Sequence, residues 1–331
     1  MCNGTIMDKL ISFSVPLMLS GILQLMFNAV DIIVVGRFSG SVALAAVGST
    51  TALINVFTNL FIGISLGANV LAARFFAAGR DKEMSDTVHT AITLALISGV
   101  IMAFVGVFFS RGALELMGTP EDVIGQSALY MKIYFLGMPF FMLYNYGAAI
   151  LRAVGDTKRP LIFLIVSGIV NAGLNMILVI LFHLDVAGVA IATVISQLIS
   201  CILVLRCLYL SQTSYQLRFS KLKINTTYLK QIFQVGVPAG IQSTVINFSN
   251  ALLQSSVNSF GSIAMAGYTA ANNIFGFLYV SVNSVTQACM SFTSQNYGVK
   301  KYKRMDKVLI DCVIISMVTS LTLGCGAYFF G

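Results

Sequence analysis

One carboxylate falls inside a long apolar stretch of this sequence. Asp31 lies in the run from about residue 10 to residue 35, and Gln24 and Asn28 precede it at spacings that place all three on one helix face. A carboxylate at membrane depth costs at least ~2.5 kcal/mol on insertion scales, so it is a functional candidate by default. Because removal from water disfavours the charged form of a carboxylic acid, Asp31 could couple proton uptake to a change of conformation. The alternative is structural: Asp31 near the outer end of its helix, paired with Arg37 or water.

Neutral polar side chains recur at helical spacing in other apolar stretches. Most fall in groups whose members lie three or four residues apart, so that each group shares one helix face. Asn and Thr side chains inside membranes often only hydrogen-bond between helices, for about 0.6 kcal/mol on average, so a structural role stays open for them. The residues are Asn171 with Asn175, Thr193, Asn247 with Asn250 and Gln254, and Asn283 with Gln287.

The elements that carry these residues are predicted to be membrane-spanning helices. Of 331 residues, 57% are hydrophobic and 10% are charged, against roughly 45–50% and about 25% in soluble chains. The mean hydropathy is +0.88. In lipid a span must satisfy its own backbone hydrogen bonds, and apolar runs of this length without alternation favour helices over barrel strands. We draw nine spans, at about 10–35, 45–73, 87–109, 127–151, 160–182, 186–206, 231–256, 266–296 and 308–330.

The loops between the predicted spans carry an asymmetric charge. Seventeen of the 20 Lys and Arg residues fall in one set of alternate loops, and Arg37, Arg111 and Lys132 fall in the other. Basic residues accumulate on the cytoplasmic side, so this division predicts a multi-pass protein of the cell membrane with a cytoplasmic N-terminus. The net charge of +8 comes from these short loops. The partner they indicate is the lipid bilayer, and no nucleic acid is expected.

The sequence also repeats itself. Pro16 and Asn28 align with Pro238 and Asn250, and Ser-Val-Ala-Leu-Ala from residue 41 resembles Ser-Ile-Ala-Met-Ala from residue 262. Six spans separate the two copies, which predicts a parallel duplication about an axis along the membrane normal. We therefore expect a six-helix N-terminal lobe at 1–210, a cytoplasmic linker at 211–230 and an incomplete C-terminal lobe of three helices at 231–331. About three further helices are expected after Gly331, as in a C-terminally truncated product.

Signatures of other chemistry are lacking. The six cysteines are scattered and neither histidine, His89 or His183, has metal-ligand spacing, so no metal is expected. The sequence has no phosphate-binding loop for ATP and no hydrolase motif, so neither an enzyme nor an organic cofactor is predicted.

With these landmarks, the sequence resembles the multidrug and toxic compound extrusion (MATE) family over its whole length. The first helix combines Pro16, Gln24 and Asp31 with a following Gly36. Further matching stretches are Val-Ala-Leu-Ala-Ala-Val-Gly from residue 42, Tyr-Phe-Leu-Gly-Met-Pro from 134, Ile-Leu-Arg-Ala-Val-Gly-Asp-Thr-Lys-Arg-Pro from 150, and Gly-Val-Ala-Ile-Ala-Thr-Val-Ile-Ser from 188.

The resemblance implies a fold, an activity and a site. The fold is a two-lobe bundle of twelve helices, nine of them within this chain, and the activity is export of small organic, often cationic, compounds driven by H⁺ or Na⁺. The implied ion-coupling residues are Asp31, Asn171, Asn175 and Thr193. The implied substrate cavity contains Gln24, to which we add the other polar positions Asn28, Asn247, Asn250, Gln254 and Gln287. We expect a monomer.

Two departures from the family pattern bear on the coupling ion. Asn175 stands where many relatives have a second acid, and the seventh helix has no acid near residues 246–247, where sodium-driven members carry a glutamate. Proton coupling through Asp31 is therefore favoured over Na⁺. Open alternatives are a lipid-linked oligosaccharide flippase of the same superfamily, a membrane enzyme acting on lipid substrates, and an inactive remnant.

Overall fold

The protein is a bundle of long helices in the computed structural model, which describes residues 1–258 and 262–330. The described residues contain no strand, which confirms the all-α prediction. The helices are α1 (Ile6–Phe38), α2 (Gly40–Ala77), α3 (Asp81–Leu116), α4 (Glu121–Leu136), α5 (Met138–Ala153), α6 (Lys158–Asn175) continued by a π-helical segment (Met176–Leu181), α7 (Asp185–Leu210), α8 (Thr226–Asn258), α9 (Ser262–Gly298) and α10 (Tyr302–Phe330).

Each predicted span matches a helix or a helix pair of the structure. By length and composition, six of the described helices could cross a membrane, or seven if α4 and α5 together form one bent span. Helices α8 and α9 do not meet this test, although they contain 33 and 37 residues. Ser, Thr, Asn and Gln lower the mean hydropathy of these two helices. The prediction of nine spans is therefore correct in the positions of the helices, whereas hydropathy and length alone support six or seven of them as spans among the described residues.

The predicted span at 127–151 is bent. Helices α4 and α5 meet at an angle of 47° around Gly137, and Pro139 occupies the first turn of α5, where its missing N–H needs no partner. A Cβ atom on Gly137 would lie 2.7 Å from Gln197 Oε1 and 2.8 Å from Val194 Cγ2 on α7. Glycine therefore lets the bend approach α7 closely.

Helices α8–α10 pack against α1–α7 mainly near one end of the bundle. We call this the basic end: it carries the N-terminus and the loops at 78–80, 154–157, 211–225 and 299–301. There Asn69 Nδ2 donates to Ala149 O at 2.8 Å, and Ser291 Oγ donates to Asn69 Oδ1 at 3.1 Å. Gln295 Nε2 donates to Ala153 O at 2.7 Å. These buried bonds join α2, α5 and α9.

Close backbone contact between α2 and α8 extends this packing toward mid-bundle. A Cβ on Gly63 would lie 2.2 Å from the Gly240 Cα, and a Cβ on Gly236 would lie 2.5 Å from the Ile64 Cα. Helices approach this closely only where small residues face each other. The two sets of helices are therefore fixed together from the basic end to the middle.

The segment between α7 and α8 lies against α3. His89 Nε2 accepts a hydrogen bond from the Arg218 backbone N–H at 3.1 Å, and Thr90 Oγ1 accepts one from the Asn225 N–H at 3.2 Å. These bonds give His89 a structural role. Helix α8 begins at Thr226, a few residues before the predicted span.

Candidate functional site

Asp31 lies in the second half of α1 and faces inward. Its side chain is 9% exposed, and α1 packs against α6 and α7 at this level. Among the described residues Asp31 forms no ion pair, and the predicted alternative partner, Arg37, is exposed. The structural alternative of an Asp31–Arg37 pair is therefore wrong.

Amide and hydroxyl groups from α6 and α7 surround the carboxylate. Asn175 Nδ2 donates to Asp31 Oδ1 at 2.5 Å and to Asn171 Oδ1 at 3.2 Å. Asn171 Nδ2 donates in turn to Thr193 Oγ1 at 3.4 Å, and Thr193 Oγ1 donates to Val189 O at 2.9 Å. The structure thus brings together all four side chains predicted from the sequence as the ion-coupling group.

One acceptor in this group has no partner. Asn175 Oδ1 is buried and accepts no hydrogen bond from the described residues. A buried carbonyl oxygen that accepts no hydrogen bond raises the free energy of the folded state. Asn175 Oδ1 is therefore available to accept one more hydrogen bond or to bind a cation. The oxygen belongs to the side chain that already contacts Asp31.

Two tyrosines on α4 also lie near Asp31. Tyr130 and Tyr134 interact electrostatically with its carboxylate, and their rings stack with centroids 6.1 Å apart. On α7, Gln197 follows Thr193 by one turn and has a buried Oε1 without a partner among the described residues. The sequence analysis missed these three residues. Their spacing of four residues, Tyr130 to Tyr134 and Thr193 to Gln197, was the available signal.

The residues predicted for the substrate cavity are more dispersed. Gln24 and Asn28 are exposed on α1 and form no hydrogen bond to described residues, although Asp31 on the same face is buried. Asn247 is half-buried and donates to the Ser243 O of its own helix at 2.9 Å.

On α8 and α9 the remaining predicted positions differ in exposure. Asn250 is exposed and Gln287 is half-buried. The side chain of Gln254 lies outside the described residues. No described contact joins this set, so its grouping into one cavity stays a prediction. In the described part of the chain no three His, Cys, Asp or Glu side chains are grouped to hold a metal ion.

A protein-family model described as MatE matches residues 16–177 and 238–331, more than half of the chain. The chain belongs to the MatE family. The resemblance seen in the sequence is thereby confirmed, and the match spans α1 through the end of α6 and most of α8–α10.

Curated relatives agree with this assignment. The probable multidrug resistance protein YoeA of Bacillus subtilis (strain 168) is 34% identical over 306 residues, which cover 90% of this chain and 66% of the relative. The multidrug export protein MepA of Staphylococcus aureus (strain COL) is 23% identical, over 95% of this chain and 69% of the relative. The chain therefore spans about two thirds of the length of these members of the family.

Solved structures share the fold. A structure described as an outward-facing conformation of a multidrug resistance MATE family transporter superposes with a TM-score of 0.92 at 21% identity, over 99% of this chain and 73% of that one. A MATE structure in a bent conformation gives 0.90 at 22% identity, over 97% and 72%. The predicted MATE-like helical bundle is thus confirmed.

Proposed function

We propose that the intact protein is a cation-coupled antiporter that exports small organic, cationic compounds across the cell membrane. The observation that carries this proposal is the buried, ion-pair-free Asp31 carboxylate within the amide and hydroxyl groups of α6 and α7. A buried charge without a counter-ion is costly, and such a group marks a place where a cation enters and leaves. Relatives named for multidrug resistance and export support drug-like cargo. The proposed unit is a monomer that needs no cofactor beyond the coupling ion and is not an enzyme.

The proton is the coupling ion that this site favours. Asp31 is the single carboxylate of the site, because the side chain of Asn175 is an amide. One proton therefore suffices to neutralise the charge of the site. A protonated Asp31 becomes a hydrogen-bond donor, and Asn175 Oδ1 is a buried acceptor without a described partner. Na⁺ is the second candidate, because the oxygens of Asp31, Asn175 and Thr193 are also cation ligands.

Transport would proceed by alternating access of two lobes. The two sets of helices contact each other from the basic end to mid-bundle, and the loop charges favour a cytoplasmic position for that end. In this arrangement the proposed cavity, with Gln24, Asn28, Asn247, Asn250, Gln254 and Gln287, would be closed toward the cytoplasm. Neutralisation of Asp31 and release of cargo would then bias the rocking of one lobe against the other.

The neutral composition of the proposed cavity disfavours the flippase alternative. A lipid-linked oligosaccharide carries phosphate, for which a basic cavity is expected. Apart from Arg206 at the last position of its span, Lys132 is the one Lys or Arg inside a predicted span, and its side chain is exposed.

The direct test is dye transport into everted vesicles that contain the full-length protein, in which accumulation inside the vesicle corresponds to efflux from the cell. Asp31→Asn removes the titratable group but keeps its shape, and efflux is expected to fall at least tenfold. Asp8→Asn, the same change at an exposed position of the same helix, is the matched control and should leave efflux unchanged. Wild-type efflux by Asp31→Asn would sink the proposal.

The same vesicles distinguish the ions. A proton gradient imposed without Na⁺ should drive uptake of dye into everted vesicles, and a Na⁺ gradient at equal pH on both sides should not. Transport that follows only the Na⁺ gradient would overturn proton coupling and leave the antiporter proposal standing.

A further inference from the structure

A cavity of about 280 Å³ lies at the basic end, remote from Asp31. Arg74 and Arg80, at and just after the end of α2, line one side of it. Tyr297, Lys300 and Tyr302, around the α9–α10 turn, line the other. The cavity therefore lies between the two sets of helices.

The backbones of the two sides are in contact at this place. A Cβ atom on Gly298 would lie 2.3 Å from the carbonyl oxygen of Arg74. The Arg74 guanidinium lies over the Tyr297 ring, 4.8 Å from its centroid. A molecule bound in the cavity would therefore contact α2 and the α9–α10 turn simultaneously.

Three cationic side chains line this cavity, and within the described part of the chain one of them has a carboxylate partner. Arg80 pairs with Glu83, with Nη2 and Oε1 2.6 Å apart. The pKa of Glu83 lies below its usual value, first because of a backbone hydrogen bond and second because Arg80 donates a hydrogen bond to its side chain. Both members of the pair are therefore charged at neutral pH. Arg74 and Lys300 form no ion pair with the described residues.

Lys300 has an unusual backbone for its residue type. Its φ is +59°, in the left-handed region that Gly or Asn adopts more readily than Lys. Its neighbour Lys301 donates to Cys2 O at 2.9 Å and Asn3 Oδ1 at 2.7 Å, and Arg304 donates to Gly4 O at 2.8 Å. The N-terminal segment thus accepts hydrogen bonds from Lys301 and Arg304, whereas Lys300 lines the cavity.

From these features we infer that the cavity binds a phosphate-bearing anion, held by Arg74 and Lys300 and bridging the cytoplasmic ends of the two sets of helices. Guanidinium groups match phosphate oxygens in geometry, and lysine adds a point charge. The tyrosine rings add polarisable walls and hydroxyl donors. The phosphate belongs either to an anionic phospholipid headgroup at the membrane surface or to a soluble phosphate ester.

Direct binding can be followed with a reporter that this chain makes available. The sequence contains no tryptophan, so Tyr302→Trp introduces a single indole fluorophore and retains an aromatic wall. The purified chain is titrated with inorganic phosphate and glycerol phosphate in lipid-free neutral detergent. In the second arm it is titrated with phosphatidylglycerol in phosphatidylcholine nanodiscs. A saturable fluorescence change in the first arm identifies a soluble source, and one confined to the second identifies a lipid headgroup.

Matched variants make the result specific. In the reporter background, Lys300→Gln and Arg74→Gln should each weaken binding roughly tenfold, as expected for loss of one charge-assisted contact, and Lys300→Arg should restore it. Lys303→Gln removes the same charge from an exposed position of the same turn, outside the cavity, and should bind as the parent does. No saturable change in either arm, or equal weakening by Lys303→Gln, would overturn the inference.

Discussion

At the residue scale, the site is a buried acid, Asp31, whose described donor is the neutral amide of Asn175. Asn175 and Asn171 lie one turn apart on α6, and Thr193 comes from α7, so three helices must keep their positions for the hydrogen bonds to form. Removing Asn175 would leave Asp31 without its donor, and unpaired buried groups cost about 1–3 kcal/mol each.

Asp31 is expected to react with a hydrophobic carbodiimide. Such reagents partition into the bilayer and attack the protonated form of a carboxyl group, so labelling should fall as pH rises and the carboxylate ionises. Peptide mass spectrometry should find the adduct on Asp31 and not on Asp8, which is exposed on the same helix. Equal labelling of both residues would contradict the assignment of Asp31 to an apolar, proton-accessible site.

The amide of Asn175 is predicted to matter more than its bulk. Asn175→Leu has similar size but supplies neither donor, so efflux by the full-length protein should fall roughly tenfold, in keeping with the loss of a hydrogen bond to a charged group. Asn145→Leu provides a control, because the hydrogen bond that Asn145 on α5 donates among the described residues goes to Phe141 O of its own helix. An unchanged efflux rate in Asn175→Leu would show that Asp31 functions without this donor.

At the element scale, the sequence predicted positions of helices better than their meeting points. Apolar runs bounded by charge located each helix, because a span must be long and apolar to lie in lipid. Spacing put Asn171 and Asn175 on one face, whereas the approach of that face to Asp31 was implied only by the family resemblance. The bend at Gly137 and the contact of Arg74 with Tyr297 depend on tertiary packing between distant segments, which local periodicity does not encode.

The bend between α4 and α5 should be sensitive to bulk at Gly137. Gly137→Leu would force the helix pair away from Gln197 and Val194, and overpacking of this kind costs about 1–3 kcal/mol. The melting temperature in detergent should fall. Gly125→Ala, on the preceding helix α4 where an added Cβ has open space, should not lower it. A parental melting temperature for Gly137→Leu would mean that the bend does not need this contact.

At the scale of the whole molecule, the contacts described between the two sets of helices lie at the basic end and in the middle of the bundle. Their chemistry is of three kinds. Buried hydrogen bonds run through Asn69, Ser291 and Gln295, and glycines allow backbone contact between α2 and α8. An apolar cluster joins α1 to α9 and α10, with the rings of Phe13 and Phe292 edge to face, 5.6 Å between centroids. The broad apolar core of α1–α7 also extends to Ile232 on α8. Separation of the two sets of helices would therefore expose apolar surface, at a hydrophobic cost in free energy.

Bulk at the α2–α8 contact should shift the protein away from this arrangement. In Gly236→Val the new side chain would meet the Ile64 backbone, with the Cβ 2.5 Å from its Cα, so that closure of the basic end becomes unfavourable. Asn69→Cys with Ser291→Cys, in a background without the native cysteines, reports closure by disulfide crosslinking, because the two native side chains are hydrogen-bonded. Crosslinking should be efficient in the parent and several-fold slower with Gly236→Val.

Gly276→Val on α9, where an added Cβ meets open space, is the control and should crosslink like the parent. If Gly236→Val crosslinks as fast as the parent, the glycine contact does not govern closure of the basic end.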